Sequence, residues 1–163
     1  MATEENSGSA ETGCCPRFDP GPWDGKVHEW KERRFIRGKV TTFFHIPLNF
    51  GGVMKRLDGK VRAAGASVPD AMWLSDHRSR WRMDLLLSVG KEVQDAENVA
   101  LSGRFLTKVF EGPFRDTRKW CGDFEAYAKG EGLTIKKQYM WYTTCPKCAK
   151  VYGKNHVVLV ADV

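Results

Sequence analysis

The chain has 163 residues, 42% of them hydrophobic and 28% charged, with a formal net charge of +6. That length supports one domain with its own core, and no apolar run approaches the ~20 residues of a membrane-crossing helix. The basic surplus suits acidic partners or surfaces, but it includes no long Lys/Arg run and no known nucleic-acid-binding signature, so nucleic acid is not the expected partner.

Residues 1–13 are rich in Ser, Gly and Glu and are expected to form a disordered tail. They carry neither a basic stretch nor an apolar stretch of a secretory signal, which makes the cytoplasm the expected location and a membrane partner unexpected. CCPRFDPGPWDG, residues 14–25, holds too many prolines and glycines for a helix or a central strand and reads as a loop pinned by Phe18 and Trp23.

A short strand is predicted over Val27–Trp30 and a long one over Phe35–Ile46, where β-branched and aromatic residues run up to Pro47. Asn49 opens a helix with Val53, Leu57, Val61 and Ala64 on one face, stopped by Gly65. Ala71–Ser75 and Arg80–Val89 form a hairpin around HRS. Val99–Glu111 is a strand ended by Gly112-Pro113. A helix follows with Trp120, Phe124 and Tyr127 on one face, stopping near Gly130 and Gly132. Ile135–Thr144 and His156–Val163 are the last strands, with CPKC between them.

The halves overlay at an offset of 66 to 68 residues, Pro47 on Pro113 and Met72-Trp73 on Met140-Trp141, until the last hairpin. There the CPKC loop makes the second half about four residues longer, and the strand from Asp84 falls on the last strand. The expected fold class is therefore α+β. Duplicated strand-helix-strand-strand units, about 35–90 and 99–163, form one antiparallel sheet within a single domain over 14–163. Two helices cover one face and a cleft opens on the other. Trp73, Trp81 and Trp141 are candidate ligand-binding residues of that cleft, or else they cap the core from its second side.

Glu111, at the end of an apolar strand, is a candidate acid–base group if it faces the cleft, because burial would raise its pKa. His45 ends a strand before a turn and is the candidate general base, with a structural role as the alternative. His156 reads as structural or as a metal ligand; His28 and His77 receive no role. Nucleotide-binding loops and nucleophile elbows are absent.

Cys145 and Cys148 in YTTCPKCAK have the CxxC spacing of a zinc knuckle, which Cys14, Cys15 and His156 could complete. A redox pair needs CxxC at a helix start, whereas this one lies in a hairpin. Packing at the mouth of the cleft is the third reading, and no other cofactor is called for.

Phe105–Leu133, FLTKVFEGPFRDTRKWCGDFEAYAKGEGL, resembles the strand, Gly-Pro-aromatic turn and amphipathic helix of the GyrI-like (gyrase-inhibitor-like) effector-binding fold. With the overlaid halves, the resemblance covers about residues 27–163. Together with CCPRFDPGPWDG, FHIPLNFG and YTTCPKCAKVYGKNHV, the chain is similar to a bacterial subgroup of that family sometimes labelled hydrolases.

The resemblance implies binding of a bulky apolar or aromatic small molecule, with detoxifying hydrolysis as an extension. Tyr142 would join Trp73, Trp81 and Trp141 as the fourth candidate ligand-binding residue and act with a carboxylate from Glu111 or Asp84. Drug-binding members often carry Glu two residues before the tyrosine corresponding to Tyr142; Met140 stands there, removing the usual counter-charge for a cationic ligand. A zinc-stabilised module binding protein or nucleic acid through a basic surface is the alternative function. The oligomeric state is open.

Overall fold

The structure, a computed structural model, describes residues 18–44, 46–143 and 156–163. Strand β1 spans Lys26–Phe43 and is followed by the two-residue β2, Ile46–Pro47, and helix α1, Phe50–Ala64. A hairpin comes next, β3 at Trp73–His77 and β4 at Arg82–Ser88. The second half supplies β5 (Glu97–Glu111), α2 (Thr117–Gly130), β6 (Lys137–Tyr142) and β7 (His156–Asp162).

The strands run β1-β4-β3-β6-β7-β5, all antiparallel, and β5 returns to pair with β1. The sheet therefore closes into a six-stranded barrel, with β2 added beside the end of β1. The anticipated sheet closes into a barrel because β1 is one strand of 18 residues rather than a short strand and a separate long one. Its register slips between Trp30 and Arg33, where Glu32 takes a φ of 48°; that bulge bends the strand without ending it. Phe35, Ile36 and Arg37 pair with β4 on one edge and β5 on the other.

Closure turns one face of every strand inward. Phe35, Leu74, Leu86, Phe105, Tyr139, Trp141, Val158 and Val160 form the interior core. The outward face is covered by the helices. Helix α1 buries Val53, Leu57 and Val61 against Ile36, Val40, Leu85 and Leu87, while α2 buries Trp120, Phe124 and Ala128 against Leu106, Val157 and Leu159. A Cβ at Gly38 would sit 2.6 Å from Val53 Cγ1, so glycine is what lets α1 lie so close to β1.

Asn49 stands before α1 as expected, but its side chain makes no cap. Its Oδ1 accepts the Thr41 amide at 2.8 Å, tying the helix start back to β1. Gly65 ends the helix in the left-handed conformation, with its amide donating to the Arg62 carbonyl at 3.1 Å. Among the described residues, no helix is long and apolar enough to cross a membrane.

Candidate functional site

Side-chain alternation decides which residues can meet inside the barrel. On β6, Tyr139 and Trp141 point inward while Met140 and Tyr142 point to α2. Trp141 is 2% exposed, and its indole nitrogen has no hydrogen-bond partner among the described residues. Trp23 meets the Trp141 ring edge-on at 5.0 Å, and Phe18 does so at 5.4 Å. Trp30 stacks on Phe105 at 4.3 Å further along the same interior. A buried N–H without an acceptor costs about 1–3 kcal/mol, so this aromatic chamber holds an unused donor.

The loop ahead of β1 packs into the interior beside Trp141. Its Trp23 carbonyl accepts the Thr107 hydroxyl at 2.7 Å, and the Asp24 carboxylate accepts from Lys108 and the Val109 amide, both at 3.3 Å. Thr107 Oγ1 also lies 3.1 Å from His28 Nε2. The hydroxyl's one hydrogen goes to Trp23, so His28 Nε2–H is the donor in that contact. Burial, reinforced by Arg33, lowers the His28 pKa below 6.5. Phe18 is held through ring contacts, to Trp141 and, at 5.5 Å, to His156.

At this end of the barrel, Glu111 on β5 is the cross-strand partner of His156 on β7, and their Oε2 and Nε2 atoms are 3.7 Å apart. The histidine side chain is 13% exposed and the carboxylate 54%, so the pair joins a sheltered imidazole to an accessible acid. This arrangement can take a proton from water and balance the charge that results.

The far end of the same interior holds Asp76 and Asp84, directly opposed across β3 and β4. Two nearly buried carboxylates this close require cations. Arg78 Nε lies 2.9 Å from Asp76 and 3.2 Å from Asp84, Lys137 lies 2.9 Å from Asp76, and Arg82 lies 3.1 Å from Asp84. Arg37 stands 3.7 Å from Asp84. Asp84, the alternative catalytic acid, is thus enclosed by cationic partners. That suits holding the hairpin rather than moving a proton.

Of the four candidate ligand-binding residues, only Trp141 lines the interior. Trp73 packs against the α1 core, because Leu74, and not Trp73, is the cross-strand partner of Trp141. Trp81 lies on the β3–β4 turn, 54% exposed, against Phe43 and Phe44. Tyr142 faces α2 with its hydroxyl 3.3 Å from Met140 Sδ, and burial, with Cys121 adding, raises its pKa above 10.0. Glu111 and Tyr142 are therefore on opposite faces.

The anticipated cleft is, around Trp141, an interior filled by Trp23 and Phe18. His45, Cys14, Cys15, Cys145 and Cys148 lie outside the described residues, and with them the zinc and redox readings. Among the described residues, no cluster of three or more His, Cys, Asp or Glu could hold a metal ion. Sequence reasoning gave His156 no acid–base role, because its pairing with Glu111 depends on the β5–β7 register. From sequence, Phe18 and Trp23 read as loop anchors but not as the residues that cover Trp141.

A family model described as "Bacterial hydrolase" matches residues 5–163. No curated protein matches the sequence. The EcmrR C-terminal domain superposes with a TM-score of 0.63 at 10% identity, over 86% of this chain and 96% of that one. A hydrolase from Listeria innocua gives 0.58 at 13% identity, over 85% and 90%. An uncharacterized conserved protein from Listeria innocua gives 0.60 at 13%, over 96% and 97%. At such identities these likenesses concern the fold alone, and with the family match they fit the GyrI-like effector-binding fold.

Proposed function

Because the chain belongs to the bacterial hydrolase family, we propose that it binds a bulky aromatic or apolar small molecule carrying a hydrogen-bond acceptor. The ligand seats against Trp141 at the Glu111–His156 end of the barrel. The observation that carries this reading is the buried Trp141 indole N–H, without an acceptor among the described residues and walled by aromatic rings. In the unliganded chain Phe18 occupies the ligand's place. A planar ligand displaces it, keeps the edge-to-face contact, and gives the indole its missing acceptor.

Hydrolysis is the extension of this reading. A ligand with an electrophilic carbon beside His156 meets a water whose proton passes to the imidazole. The water oxygen bonds to that carbon, and the departing group takes the proton back. Glu111 balances the imidazolium charge meanwhile.

The test is a fluorescence titration of wild type and Trp141→Phe with planar hydrophobic compounds, polycyclic aromatic ketones being the first probe. The expected result is saturable binding by wild type and about tenfold weaker binding by the variant, the loss of one buried hydrogen bond. Equal affinity would remove Trp141 from the site. The recurring order of strand, helix and hairpin in both halves supports descent by internal duplication as part of the same proposal.

A further inference from the structure

Trp81 has no place in the interior site, yet it belongs to a distinct surface feature at the opposite end of the barrel. Phe43, Phe44 and Trp81 are 52%, 52% and 54% exposed, and Leu48 beside them is 65% exposed. The three rings form a closed cluster, with centroids 4.8 Å apart for Phe43–Phe44, 5.1 Å for Phe44–Trp81 and 5.7 Å for Phe43–Trp81. Two turns carry them side by side. The β3–β4 turn presents Trp81, and the Thr42 amide donates to the Trp81 carbonyl at 2.9 Å, fixing one turn to the other.

The second turn departs from cheap turn chemistry. Phe43 pairs with Ile46, and Phe44, the residue that follows β1, has a φ of 46°. Asn or Gly adopts that left-handed backbone at lower cost than a bulky aromatic residue. A phenylalanine held there with half its surface in water stabilises neither the turn nor the core, which points to use outside the fold.

Charge surrounds the cluster. Lys39, Arg78, Arg80 and Arg82 lie on the same end, where the buried carboxylates of Asp76 and Asp84 pair with Arg78 and Arg82. Arg80 and Lys39 make no ion pair among the described residues. Such a basic rim would repel an identical rim on a second copy. The shape is a pair of projecting turns rather than a groove for a peptide. Single-stranded nucleic acid stacks on open ring faces, whereas these rings turn edges and faces toward one another at 89°, 63° and 55°.

We propose that this end of the barrel docks on an anionic lipid surface. Phe43, Phe44, Leu48 and Trp81 enter the boundary between headgroups and acyl chains, and Arg80 and Lys39 engage the headgroups. Aromatic residues with flanking cations are the composition that settles at that boundary, and no membrane-crossing segment is needed. The surface is separate from the Trp141 chamber, so docking leaves the ligand site free.

The experiment is sedimentation of the full chain with vesicles of equal parts phosphatidylglycerol and phosphatidylcholine, beside pure phosphatidylcholine vesicles and an oligothymidine. Partitioning onto the anionic vesicles is expected to exceed that onto neutral ones by at least about tenfold, and Phe44→Ser and Trp81→Ser are each expected to lower it by about tenfold. Both positions are more than half exposed, so circular dichroism and the thermal midpoint should stay at wild-type values. Trp81 is the most exposed of the tryptophans, so vesicles should also shield the wild-type emission from acrylamide. Vesicle binding unchanged by both substitutions would overturn the proposal. So would binding to the oligothymidine alone.

Discussion

Glu111 and Tyr142 stand on opposite faces of one sheet, although their cross-strand partners on β7, His156 and Val157, are adjacent in the chain. A single step along β7 separates the barrel mouth from the floor beneath α2. On the proposed reading, chemistry at the mouth draws on Glu111 with His156, while Tyr142 faces α2. If an electrophilic ligand is hydrolysed, Glu111→Gln and His156→Gln should each lower kcat by about a hundredfold or more, while Tyr142→Phe leaves it within about twofold. Steady-state rates of the three variants decide this. A slow Tyr142→Phe enzyme with an unchanged melting curve would place the chemistry elsewhere.

Phe18 covers Trp141 through ring contacts, to Trp141 itself and to His156. Phe18→Ala should open the chamber. Ligand affinity is expected to rise about tenfold, since the ligand no longer displaces a ring, and acrylamide should quench more of the tryptophan emission in the free protein. Weaker binding would mean that Phe18 contacts the ligand instead of standing in for it.

Asp84 is fully buried between guanidinium groups. Asp84→Ala leaves Arg82 without its acceptor and Arg78 with Asp76 alone, and urea denaturation should show a loss of about 1–3 kcal/mol, moderated because both guanidinium groups reach solvent. At Gly38 the opposite error is available. Gly38→Ala drives a methyl against Val53 and Leu57 and should cost about 1–3 kcal/mol by overpacking.

His28 links stability to acid. Its folded-state pKa lies below 6.5, so the unfolded chain binds more protons once the pH falls below that value. Stability should thus be complete above pH 6.5 and decline as acid approaches the lowered pKa. His28→Gln should flatten that segment of the curve of thermal midpoint against pH. Buried Tyr139 and Tyr142, with raised pKa values, give the mirror effect: their contribution is present below pH 10.0 and fades as the pH rises beyond it.

Most of the elements are legible in the sequence because each rests on a local pattern. Val53, Leu57 and Val61 predict α1, and Trp120 and Phe124 predict α2, through spacing alone. The pairing that closes the barrel is not local. The polar stretch Lys31–Arg34 reads as a gap between strands, yet it crosses as a bulge because β5 supplies partners on its far side.

The candidate site was harder to read for the same reason. Overlaying Met72-Trp73 on Met140-Trp141 uses an offset of 68, and it matches residues that face opposite ways: Met72 and Trp141 inward, Trp73 and Met140 toward helices. An offset of 67 instead relates the buried helix residues Val53, Leu57 and Val61 to Trp120, Phe124 and Ala128, and relates inward Leu74 to inward Trp141. One residue of register decides whether Trp73 belongs with the ligand set, and nothing in the residue types signals it.

Phe35, Ile36 and Arg37, hydrogen-bonded to both halves at once, make β1 a clasp. Neither half can detach while those residues stay paired, and loosening either half breaks bonds held by the other. Amide hydrogen exchange should accordingly find one slow cooperative unit there, with Ile36 among the last amides to open, rather than two halves of separate stability. A closed ring also leaves its principal strands no bare edge for an intruding chain to extend, so protection against misassociation comes from the connectivity itself.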